Sequence, residues 1–92
     1  MKIQISQHAL ERARERGAAK DEIIDVLNSG FDIPAKKHRK GKAKVFDYNK
    51  KRLDKFYEQK RIEVIYTIES DKIITITAYV FYGKWREQKC VF

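Results

Sequence analysis

The sequence holds one cysteine, two histidines and four glycines, and these shortages remove several chemistries at once. Cys90 has no second cysteine to join, so no internal disulfide forms, and a reducing cytoplasm is the expected setting. Two histidines and one cysteine, far apart in the chain, do not make a metal site. No glycine-rich loop is present to cradle a phosphate, and no Ser-His-Asp order is visible. No apolar run follows Met1 and Lys2, which predicts no signal peptide, and no stretch is long enough to span a bilayer. Internal repeats are absent, as is low complexity beyond a short basic run.

Positive charge is abundant. Lys and Arg number 21 against 13 Asp and Glu, for a formal net charge of +8 and a pI near 9.7. Such an excess points to an anionic partner: nucleic acid, an acidic protein or a membrane surface. Charge alone does not choose among them, and a merely soluble basic protein is the plainer explanation. The 92 residues suffice for one domain with a modest core.

Residues 61–82 are the segment the rest must pack around. β-Branched and aromatic residues dominate it, and Glu69-Ser70-Asp71-Lys72 interrupts it as a turn. Alternation puts Ile62, Val64, Tyr66 and Ile68 on one face of the first strand, and Ile74, Ile76, Ala78 and Val80 on one face of the second. If the two sets share a face, Ile68 pairs with Ile74, Tyr66 with Ile76, Val64 with Ala78 and Ile62 with Val80. That register predicts an odd-length loop centred on Asp71. A two-residue loop pairs Ile68 with Ile73 and throws the sets onto opposite sides. Ile62, Val64, Ile68, Ile74, Ile76 and Val80 are then the expected core. Ile65, Ile73, Tyr79 and Phe81 fall on the other face, which is read as a second packing surface or a ligand surface.

Residues 3–5 form a short candidate strand. Ser6 suits an N-cap and Gly17 a C′ position, so a helix is expected over residues 7–16 with a thin stripe of Ala9, Leu10 and Ala13. A second helix over residues 20–28 buries Ile23, Ile24 and Leu27, with Val26 at the margin. Ala18 and Ala19 offer it no side-chain oxygen for a cap. Residues 31–34 should be extended, since Ile33 precedes Pro34. Residues 35–44 lack periodicity and read as a basic surface loop. Residues 44–48 are a candidate strand and residues 49–52 a second basic turn. Residues 53–59 are ambiguous: Leu53, Phe56 and Tyr57 have helical spacing, but a strand hairpinned onto residues 61–68 is the favoured reading. Trp85 in the tail is expected to cover a core edge. Helices followed by a meander of strands imply an α+β domain, with two N-terminal helices packed on one face of an antiparallel sheet.

The segment Ser6-Gln7-His8-Ala9-Leu10-Glu11-Arg12-Ala13-Arg14-Glu15-Arg16-Gly17 resembles the Ser-x-His-Ala-x-x-Arg-x-x-Glu-Arg-Gly opening of a bacterial family of small domains of unknown function. That family is similar to the BrnT and RelE toxins of type II toxin–antitoxin systems. Ile76-Thr77-Ala78-Tyr79 resembles the run in which the family's strands end. The resemblance implies a RelE-like fold, ribonuclease activity and a small acidic antitoxin as partner. Ala18 and Ala19 depart from the family's larger apolar residue and Ser-like cap, and extra residues stand between Asn49 and Lys55.

His8, Arg12 and Arg16 fall at successive i+4 steps and share a helix face. Metal-independent RNA cleavage needs a base for the 2′-hydroxyl, an acid for the 5′-oxygen and cations on the phosphorane. His8 suits proton transfer and Arg12 a phosphate clamp one turn away. The plainer explanation makes His8 a brace for the helix, and lets Arg12 and Arg16 cover the core with their stems. Tyr79, on the mixed face, is a candidate base or stacking platform, whereas Tyr66 belongs to the core. Lys36, Lys37, His38, Arg39, Lys40, Lys42 and Lys44, with Lys50, Lys51 and Arg52, form a run able to follow a phosphate backbone. Charge runs of this kind are also commonly just solvated.

The expectation is therefore a cytoplasmic RNA-binding domain, a metal-independent endoribonuclease toxin with no cofactor and no membrane association. It would act on RNA, free or on the ribosome, and pair with a small acidic antitoxin. The competing readings are a non-catalytic nucleic-acid-binding module and a protein-interaction or inhibitor domain on the same scaffold.

Overall fold

The computed structural model describes residues 2–85; the tail from Arg86 onward, with Cys90, lies outside them. The elements are β1 (Lys2–Ile5), α1 (Gln7–Arg16), α2 (Lys20–Ser29), β2 (Phe31–Ile33), β3 (Lys40–Arg52), β4 (Lys55–Glu69) and β5 (Lys72–Gly83). The five strands form one sheet in the order β1-β5-β4-β3-β2. β1 runs parallel to β5 and the other pairs are antiparallel. The α+β class is as expected. The sheet, however, is mixed rather than antiparallel, and a strand precedes the helices. β1 and β2 lie at opposite edges, and the two helices carry the chain from one to the other.

Helix α1 forms where capping chemistry places it. Ser6 is extended and its Oγ accepts the Ala9 N–H at 3.1 Å, while Gly17 takes φ 107°. A Cβ at Gly17 would run into Tyr82 Oη, so glycine is needed there for conformation and for space. The last carbonyls of α1 are satisfied from three strands. Arg52 Nη2 donates to Glu15 O at 3.1 Å, Tyr82 Oη to Arg16 O at 2.8 Å, and Lys60 Nζ to Gly17 O at 2.9 Å. Cations also suit this end of the helix dipole. Helix α2 starts without a capping oxygen at Ala19, as expected, but Glu22 compensates: its Oε1 accepts the Ala19 N–H at 3.0 Å. Its stripe is rotated from the expected one, with Val26 buried beside Ile23 and Leu27 and Ile24 only half-buried. Gly30 ends it where a Cβ would lie 2.5 Å from Val26 O and 2.6 Å from Ala43 O.

The β4–β5 hairpin departs from the expected register. Glu69 pairs with Lys72 and Ile68 with Ile73, across a two-residue loop in which Ser70 and Asp71 both have positive φ, 49° and 63°. Such a loop matches the twist of the flanking strands. A bulge then shifts the pairing: Tyr66 faces Thr75, Ile65 faces Thr77, and Ile76 is the extra residue. Beyond it the expected pairs Val64–Ala78 and Ile62–Val80 are in place. Ile73 and Thr75 therefore lie on the helix face, the reverse of the alternation reading. Ile74 and Ile76 are half-buried and outside the core, and Ile68 is exposed.

Residues 35–44 are not one loop. β3 begins at Lys40 and runs through Arg52, with a bulge between Asp47 and Lys50 where Asn49 takes φ 50°. Residues 49–52 continue the strand, and the turn falls instead at Leu53-Asp54, again with positive φ at both positions. Residues 55–59 are strand, but within β4 itself and paired with β3 rather than hairpinned on residues 61–68. The core under the helices consists of Ala13, Ala18, Ile23, Val26, Leu27, Ile62, Val64, Tyr66 and Ala78, flanked by Ile3, Ile5, Leu10, Phe46, Ile73 and Val80. Trp85 donates its backbone N–H to Gln59 Oε1 at 2.6 Å and is half-buried at the end of the sheet.

Candidate nucleic-acid interface

With both helices on one face, the other face is left to the strands. From the register it carries Phe31 and Ile33 of β2, Arg61, Glu63 and Ile65 of β4, and Thr77, Tyr79 and Phe81 of β5. Tyr79 is 43% and Phe81 48% exposed. Arg61 pairs with Glu63 at 3.0 Å and lies over the Phe31 ring at 5.3 Å, so its charge is compensated. The loop between β2 and β3 folds over this face as a tight turn, with Arg39 N–H donating to Lys36 O at 3.1 Å and His38 at φ 36°. A groove of about 330 Å³ lies between loop and strands, lined by Pro34, Ala35, Lys36, Arg39, Ile65, Thr77 and Tyr79. One wall of it is cationic; the other is apolar and aromatic.

Arg16 comes from the opposite side of the sheet to touch Thr77 and Tyr79, two of the residues that line this groove. β1 covers the edge of β5 only from Lys72 to Thr75. Arg16 crosses at the uncovered part, its Nη1 donating to Ala78 O at 2.8 Å and Thr77 Oγ1 at 3.2 Å, with its guanidinium carbon 5.2 Å from the centre of the Tyr79 ring. Both protons of Nη1 are thereby engaged, which leaves three of the five guanidinium donors for a ligand. The chain thus brings together four of the residues singled out from sequence: Arg16 and Tyr79, Lys36 and Arg39.

The remaining candidates are placed elsewhere. His8 and Arg12 are exposed on α1, two turns and one turn before Arg16, and among the described residues no hydrogen bond holds either side chain. Lys37, His38 and Lys40 are exposed around the β2–β3 turn. Lys42 and Lys44 point to the helix face, paired with Asp32 at 3.0 Å and Asp25 at 2.9 Å. Hydrogen bonds from Lys44 and then Ser29 hold the Asp25 carboxyl below its ordinary range. Lys50 and Lys51 are exposed near the Leu53-Asp54 tip, and Arg52 is occupied at the end of α1. The contribution of Lys60 escaped sequence reasoning. It is buried and paired with Glu22 at 2.9 Å, and its place in the alternation of β4 beside Ile62 and Val64 was the available signal.

Among the described residues no group of three or more His, Cys, Asp or Glu side chains is placed to hold a metal, and no helix is long and apolar enough to cross a membrane. Comparison with curated proteins and with solved structures returns no match. A family model, described as a domain of unknown function (DUF4258), matches residues 5–80, which run from the last residue of β1 into β5 and include Arg16, Lys36, Arg39 and Tyr79. The chain belongs to the DUF4258 family.

Proposed function

We propose that this domain binds single-stranded RNA along the helix-free face of its sheet. The observation that carries the reading is the groove itself, in which an exposed tyrosine faces two cations of the β2–β3 turn, with the Arg16 guanidinium fixed beside the tyrosine ring. An exposed ring stacks on any base, and Lys36 and Arg39 stand where the backbone of a stacked nucleotide would run. The net charge of +8 adds long-range attraction. Fluorescence anisotropy of a labelled unstructured RNA over a salt series tests it. Affinity should fall steeply with salt, and Tyr79→Ala should weaken binding at every salt concentration. Salt-independent binding, or none at low salt, sinks the reading.

The second reading adds cleavage, as in the BrnT and RelE toxins to which the family sharing the opening motif is similar. Its support is the pairing of Arg16 with Tyr79 at one groove wall. The 2′-oxygen attacks the adjacent phosphorus, its proton passing to a base. The 5′-oxygen leaves with a proton, and a 2′,3′-cyclic phosphate remains. Arg16 would stabilise the charge on the phosphorane and the Tyr79 hydroxyl would carry a proton. His8 and Arg12, on the exposed ridge, would serve RNA that leaves the groove along α1. The test is single-turnover cleavage in chelator, with and without ribosomes. A parent protein that cuts neither sample leaves RNA binding as the whole function. A small acidic protein encoded beside this one, binding it tightly, would fit the toxin context.

A further inference from the structure

We infer that the end of the β3–β4 hairpin carries a second site, which takes one unpaired nucleobase with its phosphate, apart from the helix-free groove. It shares with the preceding proposal only the class of ligand. An open cleft of about 330 Å³ lies there, walled by Lys55, Phe56, Tyr57, Glu58, Tyr82, Gly83 and Lys84, with the one carboxylate, Glu58, facing Lys84. Pockets for small ligands begin at about 300 Å³.

The aromatic wall is built around a fixed ring. Tyr82 is pinned through its hydroxyl to Arg16 O and covered on its ring by the Arg52 guanidinium at 4.9 Å. Tyr48 and Tyr57 lean on it with centroids at 5.2 and 5.5 Å, tilted by 59° and 42°. Tilted neighbours of this kind brace a ring without covering it from above. At the mouth, Phe56 is 54% exposed although the fold gains little from it there. Leu53 at the tip is 90% exposed and holds φ 52°, a conformation that costs a leucine about 1 kcal/mol or more. Neither core packing nor turn preference accounts for these two side chains.

The charge around the rings has the sign a nucleotide needs. Lys55 Nζ lies 5.7 Å from the Tyr57 ring and Lys50 Nζ 5.7 Å from the Tyr48 ring. Among the described residues neither lysine is ion-paired, whereas Lys84 meets Glu58 at 3.5 Å. Stacking from Phe56 and Tyr57 with an ammonium at the phosphate is a base-tolerant arrangement. The hairpin site therefore holds a nucleotide with little regard to sequence.

Trp85 provides the test. It is the one tryptophan in the chain, and its ring lies 3.7 Å from where a Cβ on Gly83, at the cleft, would stand. The full chain is titrated with a short oligoadenylate and with inorganic polyphosphate of matched charge, following tryptophan emission. Oligoadenylate should change the emission and polyphosphate should not. Phe56→Ser with Lys55→Gln alters exposed side chains only, keeps the circular dichroism spectrum of the parent, and should weaken the response roughly tenfold or more. Lys36→Gln with Arg39→Gln should leave it unchanged. An equal response to polyphosphate, no response to oligoadenylate, or a hairpin variant that titrates like the parent overturns the inference. Loss of RNA binding in the groove variant with no effect of the hairpin variant upholds the groove and removes this site. The reverse pattern upholds this site and removes the groove.

Discussion

The two faces of the sheet use their cations in opposite ways. On the helix side Lys60 holds Glu22 and Gly17 O, Arg52 holds Glu15 O, and Lys42 and Lys44 hold Asp32 and Asp25. These charges close the end of α1, fasten α2 to β3 and β4, and tie β2 to β3. On the helix-free side Arg61 is taken up by Glu63, but Lys36 and Arg39 stand at the groove without a carboxylate partner among the described residues. Positive charge in this sequence is thus two populations. One is consumed by the fold and the other is available to a ligand, with Arg16 serving both through different donors. A count of lysines and arginines does not separate them.

Breaking the helix side should cost stability and nothing else. Ile62→Ala empties a fully buried position and should lower unfolding free energy by about 2–5 kcal/mol in a denaturant titration. Ile76→Ala, at the half-buried bulge, should cost less than half as much. Equal losses would mean that Ile76 is core after all and the bulge is misplaced. Lys60→Ala leaves Glu22 and Gly17 O without their cation and should cost about 1.5–3 kcal/mol, with RNA affinity little changed. A drop in affinity at unchanged stability would move Lys60 into the ligand-binding population.

The same division predicts a contrast in salt dependence. Lys36→Gln with Arg39→Gln should reduce the slope of log affinity against log salt by about 0.7 for each phosphate no longer neutralised, with an unaltered melting temperature. Lys42→Gln with Lys44→Gln should do the opposite: a lower melting temperature and an unaltered slope. If both pairs change the slope alike, the two faces do not differ as described.

Alkaline pH probes the anchor at the end of α1. Burial raises the Tyr82 hydroxyl above its ordinary value of 10.0, with Arg52 pulling it partly back. The folded state thus holds its proton more tightly than the unfolded chain. The stabilisation is fully present below about pH 10 and is lost as pH rises from there through the folded value. Urea midpoints should fall over that window, and Tyr82→Phe should remove the tyrosine-specific part of the fall while losing about 1 kcal/mol at neutral pH for the bond to Arg16 O. The smallest effect is expected at the hairpin tip. Leu53→Asn suits the positive φ and should raise stability by about half a kcal/mol, since the leucine side chain is outside the core.

Local chemistry made α1 legible in the sequence. Ser6, the small stripe of Ala9 and Ala13, and Gly17 act within a few residues of one another, and no distant interaction overrides them. The pairs Val64–Ala78 and Ile62–Val80 were legible because burial enforces alternation along both strands. The turn was not, because two signals disagree there. The loop at Ser70-Asp71 favours two residues, and the apolar pattern asks for an odd number. The chain meets both demands by bulging at Ile76, since an extra residue in one strand restores the faces that a short turn reverses.

The sequence by itself determined the class of the domain, its first helix, the strands that form its core and the excess of positive charge. Each of these follows from neighbours along the chain or from composition. Only the tertiary structure decided that β1 pairs parallel with β5, that Lys42, Lys44, Arg52 and Lys60 serve the fold, and that Arg16 crosses a strand edge to meet Tyr79. Tyr79 is 63 residues from Arg16 along the chain, and Lys36 and Arg39 enter the same groove from a third segment. Their meeting depends on the register of β4 with β5 and on the short turn after β2. No spacing in the sequence encodes those distances, because they arise only when separate strands share one sheet.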